Sequence, residues 1–262
     1  MTHSPNNIRR VFQEAFSAAD LAQPLPSFDS STPSGQVRAA MAEKSWEVAG
    51  VRTGGLVTAF VERGDLGSES CGQVARPLAD NLVVDSSLPL APLIVRLQEQ
   101  PRLFVMRLGQ VSGVVQRLDV QRPAGRMWLF GMVTLLEQRF SRLIAEHCGD
   151  DSWQQFLSAG RIQKAEELLA ERRRRDQSLP LADCLQFSDK TTIIAKSEQL
   201  RSLTRFTSRR QVEEIGKQLE RLRNNLAHAQ DLIPAGWDTI VALAEQLDSV
   251  LDGPPAGSQH PA

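Results

Sequence analysis

A pattern that occurs twice in the first half of the chain is the feature that most constrains its fold. A candidate helix at 33–44 is followed by two short β-branched runs, which are joined at Thr53-Gly54-Gly55. About fifty residues later, a candidate helix at 87–100 is followed by two more such runs, which are joined at Leu108-Gly109-Gln110. Because two helix-plus-hairpin units can bury each other's apolar faces, the sequence predicts one domain built from an internal repeat.

In the second half of the chain, the apolar residues repeat with a different period. From about residue 123, apolar residues recur at helical spacing with few breakers, which predicts an all-α bundle and an α+β chain overall. The predicted helices are 126–148, 153–175 with a bend near Gly160, 180–187, about 189–204, 209–230 and 237–250. The predicted organisation is an N-terminal arm at 1–17, a repeat domain at 18–124, a helical domain at 125–251 and a disordered tail at 252–262.

Composition excludes several classes of protein. The 262 residues include 41% hydrophobic residues, enough to bury ordinary cores, and 30 Lys+Arg against 31 Asp+Glu, so that any polyanion must bind a local patch. The three cysteines lack C-x-x-C spacing, which fits neither a disulfide framework nor a zinc site. The N-terminus has no apolar signal region, and the longest apolar stretch, 128–136, is about half of what a bilayer requires. We therefore expect a cytoplasmic protein without membrane contact.

Both predicted hairpins end in a similar motif. Each closes with a small residue, an apolar pair, three further residues and an aspartate, in AFVERGD ending at Asp65 and GVVQRLD ending at Asp119. Here residues 18–122 resemble the tandem CBS pair, or Bateman module. The resemblance implies a regulatory domain in which Asp65 and Asp119 bind an adenine nucleotide. The hydroxyl positions of that family hold Glu62 and Gln116, and the Gln116 amide can still hydrogen-bond a ribose. The alternative is that the two aspartates cap the turn after each hairpin.

The second half contains a candidate catalytic segment, LRNNLAHAQ. Adjacent asparagines are unfavourable in a helix otherwise rich in Glu, Lys, Gln, Leu and Arg, which indicates that something offsets their cost. Arg223 offers a fork of donors for a phosphate, His228 can transfer a proton near neutral pH, and the Asn224 amide can orient either. These groups suffice for transphosphorylation of RNA without a metal.

The same segment resembles the signature of the HEPN superfamily, an arginine and a histidine separated by four to six residues. Arg223 and His228 are separated by four, and a polar residue, Asn224, follows the arginine. The resemblance covers about 126–250. It implies a helical bundle, a metal-independent ribonuclease of the kind found in bacterial defence and toxin systems, and a homodimer with composite sites, with Arg223, Asn224 and His228 as catalytic residues.

Helix geometry supports the dimer. Five positions rotate by about 140° and rise about 7.5 Å, so Arg223 and His228 do not converge on one helix, whereas two copies across a two-fold axis can bring them together. The alternative is that Arg223 pairs with Glu220 or with an acidic residue of a partner chain, while His228 caps the helix C-terminus. The predicted helix at 153–175 ends in four arginines, which are either an RNA contact or a solvated helix end: Arg172, Arg173, Arg174 and Arg175.

Together these patterns predict an RNA endonuclease that requires no cofactor and is regulated by an adenine nucleotide. The competing hypothesis is a non-catalytic sensor whose helical domain only dimerises or binds a partner.

Overall fold

The computed structural model describes residues 14–149, 151–204, 206, 208–233 and 236–252. The chain forms two compact units, Met1–Arg126 and Met127–Ala262. Residues 1–13 of the predicted arm and residues 253–262 of the predicted tail lie outside the described residues.

The first unit is built from two copies of one motif, as predicted. The first copy contains α1 (Ala18–Leu21), β1 (Gln23–Pro24), β2 (Ser27–Asp29), α2 (Ser34–Glu43), β3 (Val48–Thr53) and β4 (Leu56–Glu62). The second copy contains α3 (Cys71–Val74), β5 (Arg76–Pro77), β6 (Val83–Asp85), α4 (Leu90–Glu99), β7 (Arg102–Arg107) and β8 (Gln110–Gln116). The prediction of two helix-plus-hairpin repeats is confirmed.

The two copies exchange their first strands. In each copy a parallel strand precedes the hairpin, so that β2 pairs with β3 and β6 pairs with β7. The outer strand on the other side of each hairpin comes from the opposite copy: β1 pairs with β8, and β5 pairs with β4. The resulting sheets have the orders β2-β3-β4-β5 and β1-β8-β7-β6. The exchange makes the two copies one folding unit.

The exchanged segments repeat in sequence as well. SAADLAQPL at 17–25 matches SCGQVARPL at 70–78, and each begins with a serine that starts a short helix. The backbone N–H of Ser17 donates to Asp20 Oδ2 over 2.7 Å, and that of Ser70 donates to Gln73 Oε1 over 3.0 Å. These local bonds fix the turn that directs each first strand onto the opposite hairpin.

An aromatic pair joins the two sheets of the first unit. The rings of Phe60 and Phe104 lie 4.8 Å apart between centroids and are tilted by 44°. Around them pack Leu25, Val48 and Val114, contributed by both copies. A second apolar cluster lies under α2: Val37, Met41, Ala49, Val51, Val61, Leu66 and Cys71. Each copy therefore depends on the other for part of its core.

The second unit is helical, as predicted, but several helix bounds differ from those expected. The helices are α5 (Pro123–His147), α6 (Ala159–Arg174), α7 (Phe187–Lys196), α8 (Glu198–Ser202), α9 (Arg209–Ala227) and α10 (Trp237–Asp252). The prediction of one bent helix at 153–175 is wrong, because a 3₁₀ turn at Ser152–Phe156 ends at an extended Leu157, and α6 begins after Ser158. The predicted helix at 180–187 is only a 3₁₀ turn at Leu181–Cys184, and an extended Ser197 divides the helix predicted at 189–204.

α7 is the central helix of the second unit and contacts several neighbours. The Phe187 ring stacks on Phe140 of α5 at 6.1 Å. The buried Lys190 donates to Glu137 Oε1 over 3.0 Å. On another side Thr191 lies against Gly216 of α9, so closely that a Cβ built on the glycine would be 2.1 Å from Thr191 Cγ2. The α9 backbone at Gly216 therefore lies directly against the Thr191 side chain of α7.

Candidate functional site

α9 carries the predicted catalytic segment, and its sequence explains both its start and its buried face. Ser208 Oγ accepts a hydrogen bond from the backbone N–H of Gln211 over 3.2 Å, which caps the first turn. Val212, Leu219 and Leu222 are buried along one side. The remaining surface of the helix stays available to polar side chains.

The helix ends at the predicted site. The backbone N–H of His228 still donates to the Asn224 carbonyl over 3.0 Å, but Ala229 has φ +53°, and the N–H of Gln230 turns back to the Asn225 carbonyl over 2.9 Å. The prediction that the helix continues to 230 is wrong, because this left-handed residue closes it. His228 is the C-cap residue.

The three predicted catalytic side chains are exposed. Arg223, Asn224 and His228 all face solvent. Within the described ranges no side chain forms a hydrogen bond or an ion pair with any of them, so the alternative pairing of Arg223 with Glu220 is not formed there. By contrast, the neighbouring Asn225 amide donates to the Asp231 carbonyl over 3.3 Å.

Within one copy of α9, Arg223 and His228 lie on different sides of the helix. The helix is regular from 209 to 227, so the rotation of about 140° between positions 223 and 228 applies to the structure as it does to the sequence. On a single helix the two side chains therefore start from different faces.

In the first unit, the predicted ligand residue Asp65 is engaged by an arginine of the exchanged strand. Arg76 Nη2 lies 2.6 Å from Asp65 Oδ2, and its Nη1 lies 3.5 Å from Glu62 Oε1. Arg102 Nη1 is also 3.5 Å from Glu62 Oε1. Two guanidinium groups thus neutralise the two carboxylates at this end of the hairpin, and the Asp65 side chain remains 32% exposed.

Asp119 occupies the equivalent position in the second copy and is much more enclosed. It is 3% exposed. Its Oδ2 accepts from the backbone N–H of Gln116 over 2.7 Å, and its Oδ1 accepts from the side chain of Gln23. Asp119 therefore caps the turn after its hairpin, as the alternative interpretation predicts, and the Gln116 side chain is half-buried beside it.

Sequence reasoning missed Gln23 and Arg76. Both stand directly before a proline in the exchanged segments, and each reaches the aspartate that closes the opposite hairpin. The sequence does contain a signal for these two residues, because both exchanged segments share one pattern: Ser, three residues, an aliphatic residue, Ala, one residue, Pro and Leu.

The arginine run lies in the exposed last turn of α6. Arg172 donates to Gln177 Oε1 over 3.0 Å, Arg175 pairs with Glu171 at 2.5 Å, and Arg174 Nε donates to the Ala170 carbonyl over 3.4 Å. These bonds are what a solvated helix end would form, and they leave RNA contact by Arg172, Arg173, Arg174 and Arg175 as a prediction.

The described residues contain neither a metal-binding cluster nor a membrane-spanning helix. No group of three or more His, Cys, Asp or Glu side chains is placed to hold a metal ion. No described helix combines the length and the apolar character that crossing a membrane requires.

Burial raises the pKa of the Cys71 and Cys184 thiols, so neither has the low pKa of a nucleophile.

Comparison with solved structures finds CBS proteins. CBSX2 from Arabidopsis thaliana is 21% identical and gives a TM-score of 0.38, with 43% of this chain and 96% of that chain covered. CBSX2 in complex with AMP gives 0.37 at 21% identity, with 43% and 98% covered. The CBS domain of the bacterial CNNM/CorC family Mg²⁺ transporter in complex with ATP gives 0.36 at 13% identity, with 44% and 91% covered.

These similarities cover only the part of the chain that forms the repeats. The sequence matches no protein-family model, and it matches none of the curated proteins. The repeat architecture of the first unit rests on its own strand exchange and paired motifs rather than on the TM-scores.

Proposed function

We propose that the chain is a metal-independent RNA endonuclease of HEPN type, formed by the second unit and regulated through a CBS pair in the first. The observation that carries the catalytic part is the exposure of Arg223, Asn224 and His228 on the last turns of α9, next to an asparagine that is held in place. A solvent-facing arginine, amide and imidazole provide a phosphate ligand, an orienting group and a proton-transfer group.

The proposed reaction is an internal transfer. The His228 imidazole of one subunit accepts the proton of a ribose 2′-OH, and the 2′ oxygen attacks the adjacent phosphorus. The bond from phosphorus to the 5′ oxygen breaks, the leaving oxygen takes the proton from the protonated His228, and the products are a 2′,3′-cyclic phosphate and a 5′-OH. Arg223 of the second subunit stabilises the charge on the phosphoryl oxygens, and Asn224 orients the phosphate.

Cleavage assays of the purified protein test this proposal. The protein is incubated with assorted RNAs and a chelator, beside Arg223→Ala and His228→Ala. His147→Ala is the matched histidine control, since His147 lies at the end of α5 with its Nδ1 3.1 Å from the Leu143 carbonyl oxygen. We expect cleavage that is lost in both site variants and kept in the control. Intact RNA in every tube supports the non-catalytic sensor instead.

Mixing the two inactive variants tests the composite site. If each site combines Arg223 of one subunit with His228 of the other, a mixed dimer has one intact site and one doubly altered site. An equimolar, re-equilibrated mixture should then regain about a quarter of the wild-type rate. A mixture that stays inactive while it exchanges subunits contradicts the shared site.

For the regulatory part, we place an adenine nucleotide at the Asp65 end of the first repeat. Asp65 is more accessible than Asp119, and Arg76 lies beside it as a ligand for a phosphate. A ribose hydroxyl must displace Arg76 from Asp65, and the released guanidinium then faces the nucleotide.

Thermal shifts with AMP, ADP, ATP and S-adenosylmethionine test the nucleotide site. A ligand that binds the folded state raises the unfolding temperature, and Asp65→Ala should abolish that rise. No shift with any of the four compounds contradicts adenylate binding and leaves the nuclease proposal intact.

A further inference from the structure

A cleft of about 370 Å³ lies between α9 and the first residues of α10. Its α9 wall carries two basic side chains and two amides, Lys217, Arg221, Gln218 and Asn225. This volume lies in the range of small-molecule pockets. Of the segment 222–230, Leu222 and Asn225 line the cleft, whereas the proposed catalytic residues Arg223, Asn224 and His228 do not.

The cleft and His228 share one face of α9. Positions 218, 221, 225 and 228 follow one another at steps of three, four and three residues, so they form one stripe along the helix. Arg221 is about two turns from His228 on this stripe. Arg223 is about 200° of rotation from Arg221 and lies on the opposite side of the helix. Within one subunit, Arg221 is therefore the basic cleft residue on this face that lies nearest to His228 along the helix.

The side chains of the cleft suit a nucleotide. Leu222 and Leu232 are 3% and 1% exposed and close the bottom of the cleft, so polar side chains form its accessible wall. The Asn225 amide is oriented by its bond to the Asp231 carbonyl and can meet the edge of a base. Neither Lys217 nor Arg221, both exposed, forms a salt bridge with another residue in the described part of the chain, so each is available to a phosphate.

The charge of the cleft limits the class of ligand. Glu214 and Asp238 also line it and offset the two basic groups. Glu214 accepts from the Gln218 amide over 3.1 Å, and Thr239 Oγ1 donates to Gln218 Oε1 over 3.4 Å. A balanced cleft favours a nucleotide with a single phosphodiester charge over a free di- or triphosphate, because each further negative charge is repelled by the two carboxylates.

We infer that this cleft binds one nucleotide of a single-stranded RNA, adjacent to the bond whose cleavage His228 catalyses; the inference rests on the proposed function. Asn225 contacts the edge of the base, and Arg221 binds the phosphate. The cleft would select the RNA, and the two-subunit site would cut it.

Binding to labelled RNA tests the inference apart from cleavage. The His228→Ala protein and its double variants are titrated against short fluorescein-labelled single-stranded RNAs in the presence of EDTA, with fluorescence anisotropy as the readout. We expect Arg221→Ala and Asn225→Ala each to weaken binding about tenfold. Arg142→Ala is the control, because Arg142 is an exposed arginine of α5 outside the cleft, and it should bind as the parent does.

The salt dependence separates a phosphate contact from a base contact. Removal of one phosphate contact to a single strand lowers the slope of log K against log salt concentration by about 0.7. Arg221→Ala should show this loss, Arg221→Lys should retain the slope, and Asn225→Ala should weaken binding with the slope unchanged. Circular dichroism and unfolding temperature verify that each variant is folded.

The outcomes distinguish this inference from the nuclease proposal. If the wild-type protein cleaves RNA but the cleft variants bind it as tightly as the parent, the cleft is not the RNA site and the nuclease proposal stands. If the variants lose RNA binding but the wild type cleaves no RNA, the cleft is confirmed and the nuclease fails. An absence of RNA binding to the parent overturns the cleft assignment.

Discussion

Replacement of Gly216 by alanine should destabilise the second unit, although alanine is the better helix former. The new Cβ would be 2.1 Å from Thr191 Cγ2 and 3.0 Å from Thr191 Cβ. Thr191 is buried, and its hydroxyl donates to the Phe187 carbonyl over 2.9 Å, so it cannot rotate away freely. Overpacking of this kind costs about 3 kcal/mol at the upper end, and the helix propensity of alanine returns about 1 kcal/mol. The expected net loss is about 2 kcal/mol.

Urea unfolding followed by tryptophan fluorescence measures this loss, since Trp128, Trp153 and Trp237 are buried in the second unit. Gly160→Ala in α6 is the matched control, because a Cβ there meets nothing within 4 Å, and it should stabilise the protein by up to about 1 kcal/mol. Combining Gly216→Ala with Thr191→Ser removes the closest methyl contact and should recover about 1 kcal/mol. A Gly216→Ala protein as stable as the control would refute the close packing of α9 on α7.

Three further predictions concern the first unit and the thiols. Leu108 is 96% exposed and has φ +51° in the β7–β8 turn, so Leu108→Asn should raise the unfolding free energy by about 0.5–1 kcal/mol in urea titrations. Asp119→Ala should cost about 1–3 kcal/mol because it leaves buried donors unpaired, whereas Asp65→Ala should cost less than about 1 kcal/mol; equal losses would contradict the difference in burial. Because burial raises the pKa of Cys71 and Cys184, DTNB should label them at pH 7 at least about tenfold more slowly in the native than in the unfolded protein, and native labelling should accelerate with rising pH. Rapid native labelling at pH 7 would contradict their burial.

The repeated hairpins could be predicted because each is a local pattern. Two short β-branched runs and a glycine turn specify a hairpin without reference to the rest of the chain. The strand exchange could not be predicted in this way. β1 and β5 are two residues long, each contains a proline, and their partners lie in the other copy, so only comparison of the segments 17–25 and 70–78 reveals them.

The helical half shows the same limit. The long helices α5, α9 and α10 follow from apolar periodicity, and the capping serine at 208 marks where α9 begins. The breaks lie at Leu157–Ser158 and Ser197, where the backbone is extended, and at Ala229, where it is left-handed. None of these residues is a glycine or proline, and at Ser197 the sequence signal is a capping serine, which accepts from the backbone N–H of Leu200 as Ser208 does from Gln211.

In the proposed mechanism, RNA binding beside His228 and stabilisation of the phosphate by Arg223 involve opposite faces of α9 and therefore two different subunits. Arg223 stands on one side of the helix, and Arg221, Asn225 and His228 stand on the other, so a single subunit could bind an RNA nucleotide next to its histidine but could not place Arg223 on the same phosphate. A lone subunit would then be a binding module, and cutting would require the second copy. The non-catalytic hypothesis and the nuclease hypothesis thus differ by one geometric step, the approach of a partner's Arg223 to the bound strand. Subunit mixing measures that step directly, because no rearrangement within one helix can substitute for it.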